Sequence, residues 1–475
     1  MQNKITFTHT LNLRLVNNFC LIFLAILSLF ISSCSQNDLQ DLIIADGSTE
    51  SLNVKSIKRY IEQRHPVKSR SNTRLIPIIQ HGDTVAFLAN YSEGWELFSN
   101  NTSLPMVLMK SKTGSFYPNA YKAESPFEVF YNNLIANLSS KPVDNFPDQT
   151  WVFYNEGRPG YGGEEGGDGD DNSKWGYVGD ALERTIDISV PKGGRLKTKW
   201  GQLGFYNQFT PYYKDLTTEH SAVGCVAVAL GQLLYHSNKY TGIPKYTVTS
   251  AKYNSTSNTY SFSGSDSDVW SLMDSGEDKN FSEDKERMKP TAVFLSYIAH
   301  SVKAEFAETS DKGTGAYADN ALNFLRDQTN RKFRDVLFTW NGVRTALEAE
   351  EPLYGYSIDY TGYPNPDFIY LHSYVIDYAE EQNEIWYEVY AYRKNNDGDI
   401  DDSDNDFNGE MAPPIEYYQN KCGEISVKHT STITNRWVKF NWGFNGYYDD
   451  VFLNTNEKIW NAGPYKFSEH HIFIH

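Results

Sequence analysis

The chain has 475 residues, enough for two or three domains, and an apolar fraction of 40%, close to that of globular proteins. Its formal net charge of -17 would be repelled by a phosphate backbone, which excludes nucleic acid as an electrostatic partner. None of the four cysteines (Cys20, Cys34, Cys225, Cys422) forms a C-x-x-C pair. The pattern therefore points neither to a structural zinc site nor to a disulfide scaffold, and nothing in it calls for a cofactor.

Lys4 and Arg14 precede an apolar run, Phe19 to Ile31, that ends in the small residues Ser32-Ser33-Cys34. This is the layout of a secretory signal peptide over residues 1–34, too short for a confident membrane span. Ile31-Ser32-Ser33-Cys34 resembles a bacterial lipobox, which implies lipidation of Cys34 and a polar tether over 35–50. The expected location is extracytoplasmic, on a membrane-anchored lipoprotein of a bacterial cell envelope.

A first folded unit is expected over 51–140. Thr84 to Ala89, Trp95 to Phe98 and Val107 to Met109 read as short strands. Ser125, Pro126 and Glu128 then form a capping box with proline at the first helical position. Phe127, Phe130, Tyr131, Leu134, Ile135 and Leu138 follow at helical spacing. A linker and activation region is expected over 141–195. Its glycine-rich, acidic stretch from Gly157 to Asn172 favours a solvated chain, and Arg184, Lys192 and Arg195 offer basic cleavage positions.

The second unit is expected over 196–475. Its acidic insertion, Asn395 to Asn408, contains Asp404, Asp406 and Asn408 in the spacing that opens a calcium loop. Ile415 stands where that loop needs Glu, so a plain surface loop is the better reading.

Within this unit, Ser221 to His236 carries Val226, Ala229, Leu230, Leu233 and Leu234 at helical spacing, with Cys225 at the helix start after Gly224. A helix N-terminus stabilises a thiolate. The helix alone leaves open whether Cys225 is a nucleophile or a buried small apolar residue. A nucleophile needs a base. His236 lies on the same helix, roughly 16 Å away by helical rise. His372 sits in an aromatic, β-branched run, Phe368 to Tyr378, that reads as a core strand. The order Cys, then His, then Asn441-Trp442 suits a nucleophile, its base and an orienting group.

These segments together resemble the streptopain family of papain-like cysteine proteases (peptidase family C10). Gly224-Cys225-Val226-Ala227 with Gln232 and His236 resembles its GCVATAxAQxxxYH motif. His372 to Asp377 resembles HAFVIDG, Asn441 to Gly446 resembles NWGWGG, and Trp200-Gly201-Gln202 with Tyr206-Asn207 and Pro211 resembles WxQxxPYN. Ala86 to Phe116 is similar to the family's inhibitory propeptide. The resemblance implies an α+β fold: a papain-like two-lobed catalytic domain preceded by a small α+β prodomain.

It also implies Cys225 as nucleophile, His372 as base, Gln202 as oxyanion donor, and Asn441 and Trp442 as the groups that hold and shield the imidazole. Peptide or protein substrates, the chain's own prodomain as an intramolecular inhibitor, and an activating protease are the implied partners. Two departures stand near the cleft: Tyr378 replaces the glycine after the VID segment, and 69 positions separate His372 from Asn441. The rival functions are a surface binding or inhibitor lipoprotein on an inactive protease fold, and a Cys-His acyl transferase.

Overall fold

The computed structural model describes residues 52–65, 73–118, 125–138, 175–191, 194–216, 218–237, 246–250, 258–262, 273, 288–310, 312–349, 351–359, 370–392, 414–422, 425–455 and 468–475. Cys34, the glycine-rich stretch, Lys192 and the acidic insertion with Asp404, Asp406 and Asn408 lie outside the described residues.

The chain begins its described part with α1 (Leu52–Arg64), whose Val54, Ile57 and Ile61 form a buried stripe at helical spacing. Four antiparallel strands follow: β1 (Leu75–Gln80), β2 (Asp83–Asn90), β3 (Trp95–Ser99) and β4 (Val107–Ser111). The three strands expected from the sequence are β2, β3 and β4. The expected helix is α2 (Pro126–Leu138). Its capping box forms in both directions: Ser125 N–H donates to Glu128 Oε2 at 3.0 Å, and Glu128 N–H donates to Ser125 Oγ at 3.1 Å.

After β5 (Trp175–Ser189) come α3 (Cys225–Ser237), the hairpin β6 (Tyr246–Ser250) and β7 (Asn258–Phe262), α4 (Lys289–Ser301) and α5 (Ala318–Thr329). The rest is β8 (Arg334–Leu337), α6 (Trp340–Glu348), β9 (Leu353–Asp359), β10 (Tyr370–Tyr392), α7 (Ile415–Cys422), β11 (Ile425–Asn441), β12 (Val451–Asn454) and β13 (Ser468–Ile474). The observed class is α+β.

One sheet runs through both expected units, in the order β1-β2-β3-β4-β12-β11-β10-β9-β13-β8. The joint is β4 on β12, with Val451, Phe452 and Leu453 opposite Ser111, Lys110 and Met109. The seam is packed as well as hydrogen-bonded. Ile57 and Ile61 of α1 share an apolar cluster with Phe98 on one side and Trp437 and Phe452 on the other. The helices α3, α4 and α5 bury their apolar faces together in one cluster with Tyr354, Tyr356, Val375 and Phe473 of the sheet, and α2 packs into a separate cluster with Phe440 and Trp442.

The structure corrects the expected activation region. Trp175–Ser189 is not linker but a strand, β5, antiparallel to β10 from Trp175↔Tyr392 to Ser189↔Ala379. Two of the expected cleavage positions are held in place. Arg184 Nη2 donates to Glu384 Oε1 at 2.8 Å, and the Glu384 side chain is fully buried. Arg195 donates to Asp450 Oδ1 at 2.9 Å and to the Asp449 carbonyl at 2.7 Å, and faces Asp377. The basic residues in this region serve buried carboxylates, which composition alone does not reveal. The second cation on Glu384 is Arg64, at the end of α1. One buried carboxylate thus joins α1, β5 and β10.

Candidate active site

Gly224 holds a backbone φ of +93°, a conformation that side-chain-bearing residues rarely adopt. A Cβ there would also crowd Thr314 at 3.1 Å. From that position the Gly224 carbonyl accepts the Val228 N–H at 3.2 Å, so Gly224 caps the helix and Cys225 is its first residue. Cys225 is a buried free thiol. Burial pushes its pKa above the ordinary thiol value. The Ser373 N–H and hydroxyl and the first N–H groups of α3, at Val226 and Cys225, bond the sulfur and pull the other way.

His372 stands in β10, opposite Ser357 of β9, and is buried. Its Nε2 lies 2.9 Å from the Trp442 carbonyl oxygen. A carbonyl only accepts, so Nε2 carries the proton and Nδ1 is left as the basic nitrogen. The imidazole also stacks on the Trp442 ring at 6.0 Å. Burial lowers the His372 pKa to about 4, against the raising effect of the Trp442 bond. The neutral imidazole is the resting form at neutral pH.

Strand alternation sorts the residues of β10 between two faces. Ser373 and Val375 turn toward the Cys225 helix, where Val375 joins its apolar cluster. His372 and Tyr374 turn toward Trp442, with Tyr374 and Trp442 rings 5.8 Å apart.

The expected pairing of Asn441 with His372 is corrected. The Asn441 side chain accepts from Gln232 Nε2 at 2.9 Å and from the Gly443 N–H at 3.1 Å, and donates to the Thr198 carbonyl at 3.0 Å. The main-chain carbonyl of the next residue, Trp442, is what reaches the imidazole. Asn441 shapes the turn that presents it.

Gln202 is anchored near the thiol by its backbone: its carbonyl accepts the Val223 N–H at 2.9 Å, two residues before Cys225. His220 bonds the Thr210 carbonyl and stacks on Tyr212 at 3.9 Å.

The Trp442 turn is gripped by α2. Phe127 and Phe130 of α2 pack on the Trp442 ring at 5.9 and 5.7 Å. Phe127 stacks on Tyr448 at 4.5 Å, and the Tyr448 hydroxyl donates to Glu128 Oε1 at 3.0 Å. From below, Asp449 Oδ1 accepts the Trp442 N–H at 3.1 Å. Burial raises the Asp449 pKa to about 7 despite Lys199 nearby.

Three residues of the site were not singled out from sequence: Ser373, Asp449, and Tyr354 of β9, whose hydroxyl lies 2.7 Å from the Ser373 hydroxyl. Ser373 adjoins His372, and its polarity amid an aromatic run is the one available signal. Asp377 accepts the Leu196 N–H at 2.7 Å, tying the segment before Trp200 to β10.

The Peptidase C10 family model matches residues 200–388, an interval that contains Gln202, Cys225 and His372. Among solved structures, a fragment of prointerpain A from Prevotella intermedia, in a cysteine-to-alanine mutant, is 17% identical with a TM-score of 0.45, covering 85% of this chain and 98% of that one. Active wild-type interpain A cysteine protease of the same organism is 19% identical with a TM-score of 0.35, covering 64% of this chain and 97% of that one. A search of curated proteins gave no match.

Proposed function

Residues 200–388 belong to the peptidase C10 family of cysteine proteases, and on that premise we propose that the chain is the latent precursor of a cysteine endopeptidase with Cys225 as nucleophile and His372 as base. In the reaction, His372 Nδ1 takes the thiol proton and the sulfur attacks the scissile carbonyl carbon. The oxyanion forms against the Cys225 N–H and the Gln202 side-chain amide. The imidazolium then protonates the leaving amine, and water hydrolyses the thioester with His372 as base again. The Trp442 carbonyl keeps Nε2 protonated and so fixes the tautomer this cycle needs.

The observation that carries the latency is the contact of Phe127 and Phe130 with Trp442, whose carbonyl holds His372. A helix outside the family interval bears on the base through one residue. With α2 docked, His372 faces Trp442 while Ser373 faces Cys225, and a neutral thiol and a neutral imidazole are the favoured forms. Release of α2 frees the Trp442 turn, and His372 closes on the sulfur. Residues 52–138 act as the inhibitor and keep the cleft closed at high effective concentration while tethered. The apolar run from Phe19 to Ile31 ending at Cys34 is the feature that supports a reading of secretion, lipid attachment at Cys34 and a location at a cell envelope.

The test compares intact protein, protein nicked between residues 139 and 174, and the isolated catalytic unit with residues 51–140 added in trans, on casein. Activity should appear after nicking and fall when the prodomain is added back. Equal activity in intact and nicked protein, with no inhibition in trans, contradicts the latency.

A further inference from the structure

The wall behind the Cys225 sulfur is polar where the surrounding core is apolar. The Ser373 hydroxyl bonds the sulfur, and the same oxygen lies 2.7 Å from the Tyr354 hydroxyl. Ser373 and Tyr354 are each 1% exposed, so bulk solvent does not reach these hydroxyls. Tyr354 is fixed in turn by stacking on Phe473 at 4.6 Å. Ser373 stands where the segment that it resembles, HAFVIDG, has alanine, so the hydroxyl is a departure of this chain from that segment.

We propose that Tyr354, Ser373 and Cys225 form a hydroxyl relay that stabilises the thiolate of the nucleophile, with Ser373 touching the reacting sulfur and Tyr354 acting through it as a positioning residue. The inference rests on the reading of Cys225 as nucleophile. In the neutral state the thiol donates to Ser373 Oγ, and Ser373 donates to Tyr354. When His372 takes the thiol proton, both hydroxyls rotate: Tyr354 donates to Ser373, and Ser373 donates to the sulfur anion. No proton crosses the relay; only the direction of the two bonds reverses. The tyrosine suits this role because burial pushes its own pKa far up, so it stays a donor at every pH the enzyme meets. With the Ser373 and Val226 N–H groups, the anion then meets donors from both β10 and the start of α3.

The role differs from that of the oxyanion hole, which acts on the substrate. It sets how much thiolate exists before substrate binds, and it offsets the burial that disfavours the charge. The sequence segment that supplies the base therefore also supplies a donor to the nucleophile, on the other face of the strand.

The test is the pH dependence of iodoacetamide alkylation at Cys225 in the nicked protein, read by peptide mass spectrometry so that other cysteines do not contribute. Ser373→Ala should raise the alkylation midpoint by about one pH unit, so that labelling below it is about tenfold slower. Tyr354→Phe should move the midpoint in the same direction by less, and the double variant should match Ser373→Ala, because Tyr354 acts only through Ser373. Coincident titrations of wild type and Ser373→Ala overturn the relay, as does full additivity in the double variant. Failure of the parent reading looks different: peptidase activity would then survive in Cys225→Ala, whatever the titrations show.

Discussion

Gln232 Nε2 donates to Asn441 Oδ1 at 2.9 Å, joining the third turn of the Cys225 helix to the end of β11 across 209 residues of chain. Both side chains are buried. The bond sets the position of the Trp442 carbonyl one residue further on, and hence of the imidazole. Asn441→Ala leaves the Gln232 amide and the Gly443 N–H without their acceptor. Its cost should be about 1–3 kcal/mol of stability, read by denaturant unfolding, with reduced activity but not its abolition. Unchanged stability removes Asn441 from this role.

Gln202→Ala should keep weak activity. Removal of one oxyanion donor lowers kcat by about 10²–10³. Steady-state kinetics on the processed protein check this, and an unchanged kcat takes Gln202 out of the site.

Arg64 and Arg184 share the buried Glu384. On the proposed latency, release of residues 52–138 takes Arg64 away, while Arg184 on β5 keeps Glu384 paired. Arg64→Ala should therefore weaken inhibition by the prodomain in trans by about tenfold to a hundredfold, since a charge-assisted bond contributes about 1.5–3 kcal/mol. The inhibition constant is the measurement.

The precursor should lose stability in mild acid. Burial holds His372 at about 4 and His470 at about 3, below the ordinary histidine value of 6.5. A depressed histidine favours the folded state above 6.5, and that contribution is lost as pH falls from 6.5 toward 4. Asp449 has the opposite sign: raised to about 7 from 3.8, its contribution is present at low pH and lost as pH rises through 7. Burial lowers His300 as well, and Glu384, despite its burial, is lowered by Arg64 and Arg184; both contributions are lost in acid, while burial raises Asp377 in the sense of Asp449. The balance is a net acid loss. Melting temperature should drop between pH 6.5 and 4.5, and Asp449→Asn should steepen the drop by removing the opposing slope.

Much of this was readable in the residues because local chemistry is strong where it was read. The Ser125–Glu128 capping box, the glycine before Cys225 and the apolar stripe of α3 are each decided within a few positions. The errors lie where a long-range partner decides. Arg184 and Arg195 look like exposed cleavage positions until Glu384 and Asp377, near two hundred residues away, take them up. Asn441 carries the side chain that suits an orienting group, yet the neighbouring carbonyl does the orienting, and a main-chain carbonyl has no sequence signature. Likewise β5 follows a glycine-rich acidic stretch and reads as more of the same until β10 pairs with it.

The most direct test of the Cys225–His372 assignment is casein hydrolysis by nicked wild type beside nicked Cys225→Ala and His372→Ala, each with an unfolding curve to confirm the fold. Wild type should cleave, and both variants should show no activity above background with near-wild-type stability. Cleavage at the wild-type rate by folded, nicked Cys225→Ala would contradict the assignment outright.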